Sequence, residues 1–406
     1  MKILIASQHF WPESFRINDV ARSLSNAGCE VTVLTGQPNY PEGRVFPGYR
    51  ATSFSRQDYA GIAVVRVPVV PRADASSARL AINYVSYIVS ATLLGLWAFR
   101  KTRFDAILVY GTSPILQAFP AIALKFAKKA PLVTWVQDLW PESLVVTGHV
   151  RNPRILAAVD SIVRWIYRRN DLLLGQSERF LPVIRSKAGG VPVAYHPNPG
   201  DLSAESSAPH DFGSGFHVVF AGNLGKAQAL PTLLAAAEQL RDVTDITFHL
   251  VGGGSETDWL KAEIEVRGLA NVHLLGRFPT SAMPGIFAAT SVLLLTLGQS
   301  DALDLTVPSK LQAYLQAGRP IVASINGAGA DVLEQSGAGL AVPAEDSAAL
   351  ARAIRTMFSM TAAERDALGA AGKAFFENNY DSKKLANQLI ALLGSASVRG
   401  NQANRG

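Results

Sequence analysis

The chain has 406 residues, 48% of them apolar and 17% charged, with a formal net charge of +6. That balance excludes a disordered or low-complexity protein, and the length suffices for two domains with full cores. A lone cysteine, Cys29, excludes a disulfide framework, and the positive excess favours an anionic partner.

MKILIAS at the N-terminus reads as a strand, since the apolar run is too short for a signal peptide and no small-residue cleavage site follows it. A cytoplasmic protein is the expectation. DVARSLSNAG then reads as a helix closed by Gly28 and CEVTVLTG as a second strand, the unit from which doubly wound sheets are built. Apolar strands recur at IAVVRVP, FDAILVYG, PLVTWVQ and DLLLGQS, and such continuous runs predict a parallel sheet buried on both faces.

Residues 80–99, LAINYVSYIVSATLLGLWAF, carry no charge and lie between Arg79 and the bases Arg100, Lys101 and Arg103. Twenty such residues match a bilayer of about 30 Å. Against a span, the segment holds Asn83, Ser86, Ser90 and Thr92 and runs directly into a strand the sheet needs. An interfacial helix on an anionic membrane, through residues 79–103, stands beside a core helix and a single span.

A stretch rich in Pro, Ser and Gly near 197–215 separates these elements from a second series: FHVVFAGNLG, TLLAAAEQLR, ITFHLVGGG, VHLLGRF, VLLLTL, RPIVASI and AGLAVP. Two Rossmann-like, doubly wound α/β domains facing a cleft are expected, the first over 1–197 and the second over 198–375. A helix at 376–394 should return to the first domain, and 395–406 should form a disordered tail.

Glycines at strand ends carry the nucleotide signal. Gly222, Asn223 and Gly225 end the first strand of the second half, Gly252, Gly253 and Gly254 end the next, and Arg277 follows VHLLG. Glycine there lets backbone amides approach a phosphate, and a helix N-terminus adds partial positive charge. Neither a dinucleotide fingerprint, a Walker A pattern, a Gly-x-Ser-x-Gly elbow nor an Asp-x-Asp pair is present. His9, His149 and His196 are too scattered for a metal site, so no metal or other cofactor is expected, and no nucleic-acid partner.

FWPESFRINDVARSLSNAG, CEVTVLTGQPNYPEG, WVQDLWPES, GQSERF, FAGNLGKAQAL, LVGGGSE, VPSKLQAYLQAGRPIVAS and AGLAVPAEDSAALARAI, taken in this order, resemble glycosyltransferase family 4. They are most similar to the bacterial subgroup that builds O-antigen, capsule and colanic acid, including fucosaminyltransferase-like members. The resemblance implies the GT-B fold, a nucleotide sugar held by the C-terminal domain and transfer with retention of configuration. It also implies an acceptor met by the N-terminal domain, a glycan often linked to polyprenyl diphosphate at the inner face of the cytoplasmic membrane. Many members carry two glutamates eight positions apart, and in register this chain has Leu305 and Ala313 there. Where an Arg and Lys pair is usual, it has Asn223 and Gln228.

Cleaving a sugar–diphosphate bond leaves negative charge that fixed cations or amides must meet. Lys310, at a helix start with Pro308 and Ser309, and Lys226 are the candidate cations. Asp304 is the candidate sugar contact and Gln312 a ribose contact. In the first domain Glu13, Phe15, Arg16, Tyr40 and Glu142 follow strands and are candidates for the acceptor, with Asp138 as a base or orienting group. A catalytically silent subunit that binds a nucleotide sugar is the second reading, favoured by the missing glutamates.

Overall fold

The computed structural model describes residues 1–73, 77–146, 152–200 and 207–403, so His149, part of the 197–215 linker and the last three residues lie outside the described residues. Met1–Pro199 with Ser382–Gly406 form one compact unit and Gly200–Asp381 a second.

The first unit runs β1 (Lys2–Ala6), α1 (Ile17–Asn26), β2 (Glu30–Gly36), β3 (Ser55–Tyr59), β4 (Ile62–Val67), α2 (Ser77–Ala98) and β5 (Ala106–Gly111). It continues through α3 (Ala118–Lys128), β6 (Leu132–Val136), α4 (Glu142–Val146), α5 (Pro153–Tyr167), β7 (Leu172–Gly175), α6 (Phe180–Ala188) and β8 (Val193–Tyr195). Its eight strands order β3-β4-β2-β1-β5-β6-β7-β8, with every neighbour pair parallel except β3 and β4. β1 sits mid-sheet, Ile3 opposite Val31 on one side and Ala106 on the other. In α1 the residues at helical spacing, Ile17, Val20, Ala21 and Leu24, are the ones buried against the sheet.

α2 divides the same way. Asn83, Tyr87, Ala91 and Ala98 are buried, while Ile82, Val85, Val89, Leu93 and Trp97 are each at least half exposed. The inward face is tied down by side-chain bonds: Asn83 accepts from Gln8 Nε2 at 2.7 Å and donates to Val70 O, and Ser90 donates to Pro68 O at 2.6 Å. The helix is long and apolar enough to cross a membrane, yet its polar residues fasten it to the loops after β1 and β4.

The second unit comprises β9 (Phe216–Asn223), α7 (Leu230–Gln239), β10 (Ile246–Gly253), α8 (Thr257–Val266), β11 (Val272–Gly276), α9 (Met283–Ala288), β12 (Val292–Thr296), α10 (Asp301–Asp304) and α11 (Ser309–Ala317). After them come β13 (Ile321–Ser324), α12 (Gly327–Ser336), β14 (Gly339–Val342), α13 (Ser347–Ser359) and α14 (Ala362–Asn379). Six parallel strands order β11-β10-β9-β12-β13-β14, so the chain reverses direction across the sheet between β9 and β12. Ligands of open α/β sheets gather at the carboxyl ends beside such a reversal.

The expected helix at 376–394 is two elements. α14 ends at Asn379, with Phe376 and Tyr380 buried in the second unit, and α15 (Ser382–Ala403) buries Leu389, Leu393 and Ala396 in the first. Helix α15 also runs into the segment expected to be a disordered tail, as far as Ala403. Ala396 is fully buried and Ser397 Oγ donates to Asp105 O at 2.8 Å, so the apolar stripe outlasts what composition suggested.

Candidate active site

In the second unit, the carboxyl ends of β9 and β10 meet the start of α11 around a cavity of ≈420 Å³. Glycine is required there by positive φ at both positions and, at Gly252, by backbone contact. A Cβ on Gly222 (φ +141°) would lie 2.4 Å from Lys310 Cε, and one on Gly252 (φ +141°) would lie 1.8 Å from Gly222 O. Tyr314 fixes the corner from α11: its hydroxyl accepts from Ala221 N at 2.9 Å and reaches Leu294 O at 3.2 Å, joining β9 to β12 across the reversal. Gly222, Asn223, Gly252, Gly253, Arg277, Lys310, Ala313 and Tyr314 all line the cavity.

Lys310 is the half-buried cation of this corner. Its Nζ stands 3.7 Å from the Phe220 ring centroid and donates to Gln228 Oε1. Burial drives its pKa down from 10.5 to about 7. The charges that line the cavity, Lys310 and Arg277, are both positive, and no lining residue is a carboxylate. Such a corner suits an anion whose charge restores what burial removes from the ammonium.

Several expected donor residues stand elsewhere. Lys226 is exposed on the turn after β9 and does not line the cavity, because the 3₁₀ turn Lys226–Gln228 brings Gln228 inward instead. Gly225 and Gly254 build the turns without lining: Gly225 O accepts from Gln228 N at 3.0 Å, and the Gly254 amide is spent on Thr257 Oγ1 at 3.0 Å. Ser309 opens α11 but is exposed, and Gln312 is buried on another face of that helix. Asp304 ends α10 against the backbone of Gly327, also outside the lining. Ala313, the position where the resemblance calls for a glutamate, does face the cavity and brings no charge.

A second cavity, of ≈620 Å³, belongs to the first unit and forms over the ends of β1, β2, β5 and β6 and the start of α2. Phe15, Tyr40 and Asp138 line it as expected. Asp138 accepts from Ser113 N at 2.8 Å, and burial raises its carboxyl above the ordinary range. Trp140 closes one side, its Nε1 donating to Ser113 Oγ at 2.9 Å.

Three expected acceptor residues do not line this cavity. Glu13 is buried beneath it, accepting from the amides of Asn39 at 2.8 Å, Tyr40 at 2.7 Å and Phe10 at 3.3 Å. Arg16 caps α1 and donates to Pro199 O. Glu142 pairs with Lys187 at 2.7 Å, a lysine that also meets Asp160 at 3.1 Å and donates to Trp140 O. Each of the three makes bonds within the first unit rather than toward the cavity.

Sequence reasoning missed His9 and Arg72. His9 lines the cavity, stacks on Phe15 with ring centroids 5.1 Å apart and directs Nδ1 at Glu13 Oε2, 3.0 Å away. Arg72 lies over the Tyr40 ring at 5.0 Å with its Nε buried and without a hydrogen-bond partner. The usable signal was His9 and Glu13 four positions apart in one loop. Among the described residues, no three His, Cys, Asp or Glu side chains are placed to share a metal ion.

Comparison with known proteins extends this picture. Residues 215–360 match the family model described as glycosyl transferases group 1, and residues 14–200 match that of the glycosyl transferase 4-like domain. The chain is 24% identical over 339 residues to the probable glycosyltransferase WbjE of Pseudomonas aeruginosa, covering 79% of this chain and 83% of that one. It is 26% identical over 340 residues to the putative colanic acid biosynthesis glycosyl transferase WcaI of Escherichia coli (strain K12), covering 78% and 82% respectively. Among solved structures, the sucrose-phosphate synthase of Thermosynechococcus elongatus superposes with TM-score 0.72 at 16% identity, over 96% of this chain and 98% of that chain. Anabaena Alr3699/HepE in complex with UDP gives 0.69 at 17% identity, over 97% and 100%.

Proposed function

We propose, from the premise that this chain is a glycosyltransferase of the GT-B fold built from two Rossmann-like domains, that it moves a sugar from a UDP- or GDP-sugar to a lipid-linked glycan of a bacterial surface polysaccharide, with retention of configuration. The observation that carries the donor half is the corner of Gly222, Gly252 and Lys310, a close backbone approach backed by a half-buried cation. When the sugar–phosphate bond breaks, negative charge grows on the departing diphosphate. Lys310 and Arg277 line the space where it would be met, and preorganised charge of this kind is usually the largest catalytic contribution. Leaving-group charge handled by fixed cations needs no divalent metal. The UDP bound by Alr3699/HepE supports a uridine donor.

The acceptor half rests on the first unit. Phe15, Tyr40, Tyr84 and Trp140 give its cavity aromatic walls suited to a sugar ring, and Arg72 adds a positive charge to the lining that suits a phosphate. Beside it α2 exposes Ile82, Val85, Val89, Leu93 and Trp97 at spacings of three and four, one apolar stripe, with Arg100, Lys101 and Arg103 at its end. α3 adds Phe126, 65% exposed. An apolar stripe with flanking bases suits an interfacial helix on anionic lipid, which would keep the enzyme at the inner face of the cytoplasmic membrane where a polyprenyl-linked acceptor lies. Similarity to the putative colanic acid biosynthesis glycosyl transferase WcaI supports the polysaccharide setting.

The lack of a carboxylate in the donor cavity favours a second reading, a silent nucleotide-sugar-binding subunit. Incubating the pure chain with a panel of UDP- and GDP-sugars and bacterial membrane lipid extract separates the two. Transfer predicts that one donor both raises the melting temperature and labels the lipid fraction. Thermal protection with no label in lipid would favour the silent subunit.

A further inference from the structure

The side of the first unit that carries α2 is apolar beyond α2 itself. The steps from β4 to β5, β5 to β6 and β6 to β7 all run the same way across the sheet, and right-handed crossovers place their helices α2, α3 and α5 on one face. α1 steps the other way and packs with α15 on the opposite face, while α3 packs against both α2 and α5. A helix covering a sheet in water turns polar residues outward. Here α5 exposes Ile155, Ala158, Ile162 and Trp165 at spacings of three and four, a stripe like that of α2. At the same spacings α3 presents Phe119, Ala123 and the exposed Phe126. Phe119 stacks on Trp165 with ring centroids 5.3 Å apart, which joins the two stripes. The tryptophans of α2 and α5 are finished alike: Arg100 lies over Trp97 at 5.0 Å and Arg169 over Trp165 at 4.1 Å.

Charge decides what such a surface meets. α2 and α3 contain no carboxylate, and the single one on α5, Asp160, is held by Arg164 at 2.6 Å and Lys187 at 3.1 Å. Exposed bases border the helices: Arg79 and Arg100 near the two ends of α2, Lys129 after α3 and Arg154 at the start of α5. A second copy of the chain docked face to face would set these bases against one another. Apolar stripes bordered by positive charge, with tryptophans among them, fit the headgroup and upper acyl region of an anionic leaflet. We propose that the first unit rests on anionic lipid through all three helices, with α5 as a second anchor that α2 does not replace, an inference that rests on the membrane reading of α2 given above. One amphipathic stripe attaches weakly and reversibly, and two held side by side on a rigid sheet reinforce each other, because the second binds as soon as the first has placed it. The guanidinium groups stacked on Trp97 and Trp165 retain N–H groups for lipid phosphate, which sets the indoles at headgroup depth. The inner side of α2, bonded to Val70 O and Pro68 O, holds that helix along the leaflet rather than across it.

Co-flotation of the full chain with phosphatidylcholine vesicles, made with and without phosphatidylglycerol, tests this. Ile155→Asp with Ile162→Asp, α2 left intact, should weaken attachment to the phosphatidylglycerol vesicles about 10-fold or more, with little change in melting temperature because both side chains are exposed. Should that pair fail to fold, Ala158→Cys carrying an environment-sensitive dye reports the same contact, since the native Cys29 is buried away from the label. Its emission should shift to the blue on phosphatidylglycerol vesicles, as should that of a dye on Leu93→Cys. A shift at position 93 with none at position 158, or an Ile155→Asp, Ile162→Asp chain that floats like wild type, overturns the second anchor and leaves α2 alone. A wild type that floats with neither kind of vesicle overturns the membrane reading and this surface with it. A dimer in sedimentation that the α5 pair dissociates gives the face to a second copy and overturns lipid as its occupant. Transfer of sugar is read separately, so a chain that labels no acceptor yet floats through both α2 and α5 loses the transferase reading and keeps this surface.

Discussion

Lys310 carries opposite demands. Burial over Phe220 disfavours its charge, while a bound diphosphate would need it. Its folded pKa of about 7 is below the ordinary 10.5, so between these values the unfolded chain holds the proton and the folded chain releases it. Stability linked to this group therefore rises as pH climbs from 7 to 10.5 and is lowest below 7. Lys310→Met should remove that slope, raise the melting temperature by roughly 2–4 °C at pH 7 if about 1 kcal/mol is recovered, and weaken UDP binding. An unchanged Kd for UDP by calorimetry would exclude Lys310 from the diphosphate site. A diphosphate that restores the charge also makes wild-type UDP binding take up a proton near pH 8. The check is a binding enthalpy that depends on the buffer's own ionisation enthalpy; equal heats in phosphate and Tris would count against it. Lys226, exposed on its turn, should tolerate Ala with little change in either measurement, a reversal of what its place in the sequence suggested.

Among the elements, α2 and the β9–β11 edge make separate claims. The stripe on α2 predicts that the protein floats with vesicles containing anionic lipid, less so at high salt. Val89→Asp with Leu93→Asp should abolish flotation with little loss of stability, because both side chains are more than half exposed. Binding that survives this double change would remove the stripe from membrane contact. At the sheet edge His217, His249 and His273 gather beneath Phe212, with His249 Nε2 3.2 Å from His217 Nδ1. Burial first, then His217, His273 and His210, push His249 down from 6.5 to about 4. As pH falls below 6.5 the unfolded chain takes the proton before the folded one, so stability declines from pH 6.5 to 4 and is unaffected above that window. His249→Gln should flatten the decline in an acid titration of unfolding. The remaining slope belongs partly to His196, which burial lowers to about 4 as well.

For the molecule as a whole, the two parallel sheets were legible because buried parallel strands are written as unbroken apolar runs, and FHVVFAG after a Pro- and Ser-rich stretch marks where the pattern restarts. Gly222, Gly252 and Lys310 were legible too, since close backbone approach demands glycine at a strand end. Other parts of the site were not. Glu13 looked like a cleft carboxylate until the loop after β2 came round to spend it, and His9 gained meaning only from that contact. Side-chain direction within one turn separates Gln228 from Lys226, and spacing alone does not reveal it. The helix α15 runs further than its composition suggested because Ala396 packs on the first unit. Since the cations are fixed, transfer should persist in excess EDTA, and loss of activity restored by magnesium would show that a metal is needed. The most direct test of a transferase whose diphosphate corner is Lys310 counts products. Pure chain, donor and membrane lipid extract should release one UDP or GDP per sugar entering lipid, and Lys310→Ala should cut both about 100- to 1,000-fold together. Nucleoside diphosphate released with no sugar in lipid, or a Lys310→Ala chain as fast as wild type, would contradict it.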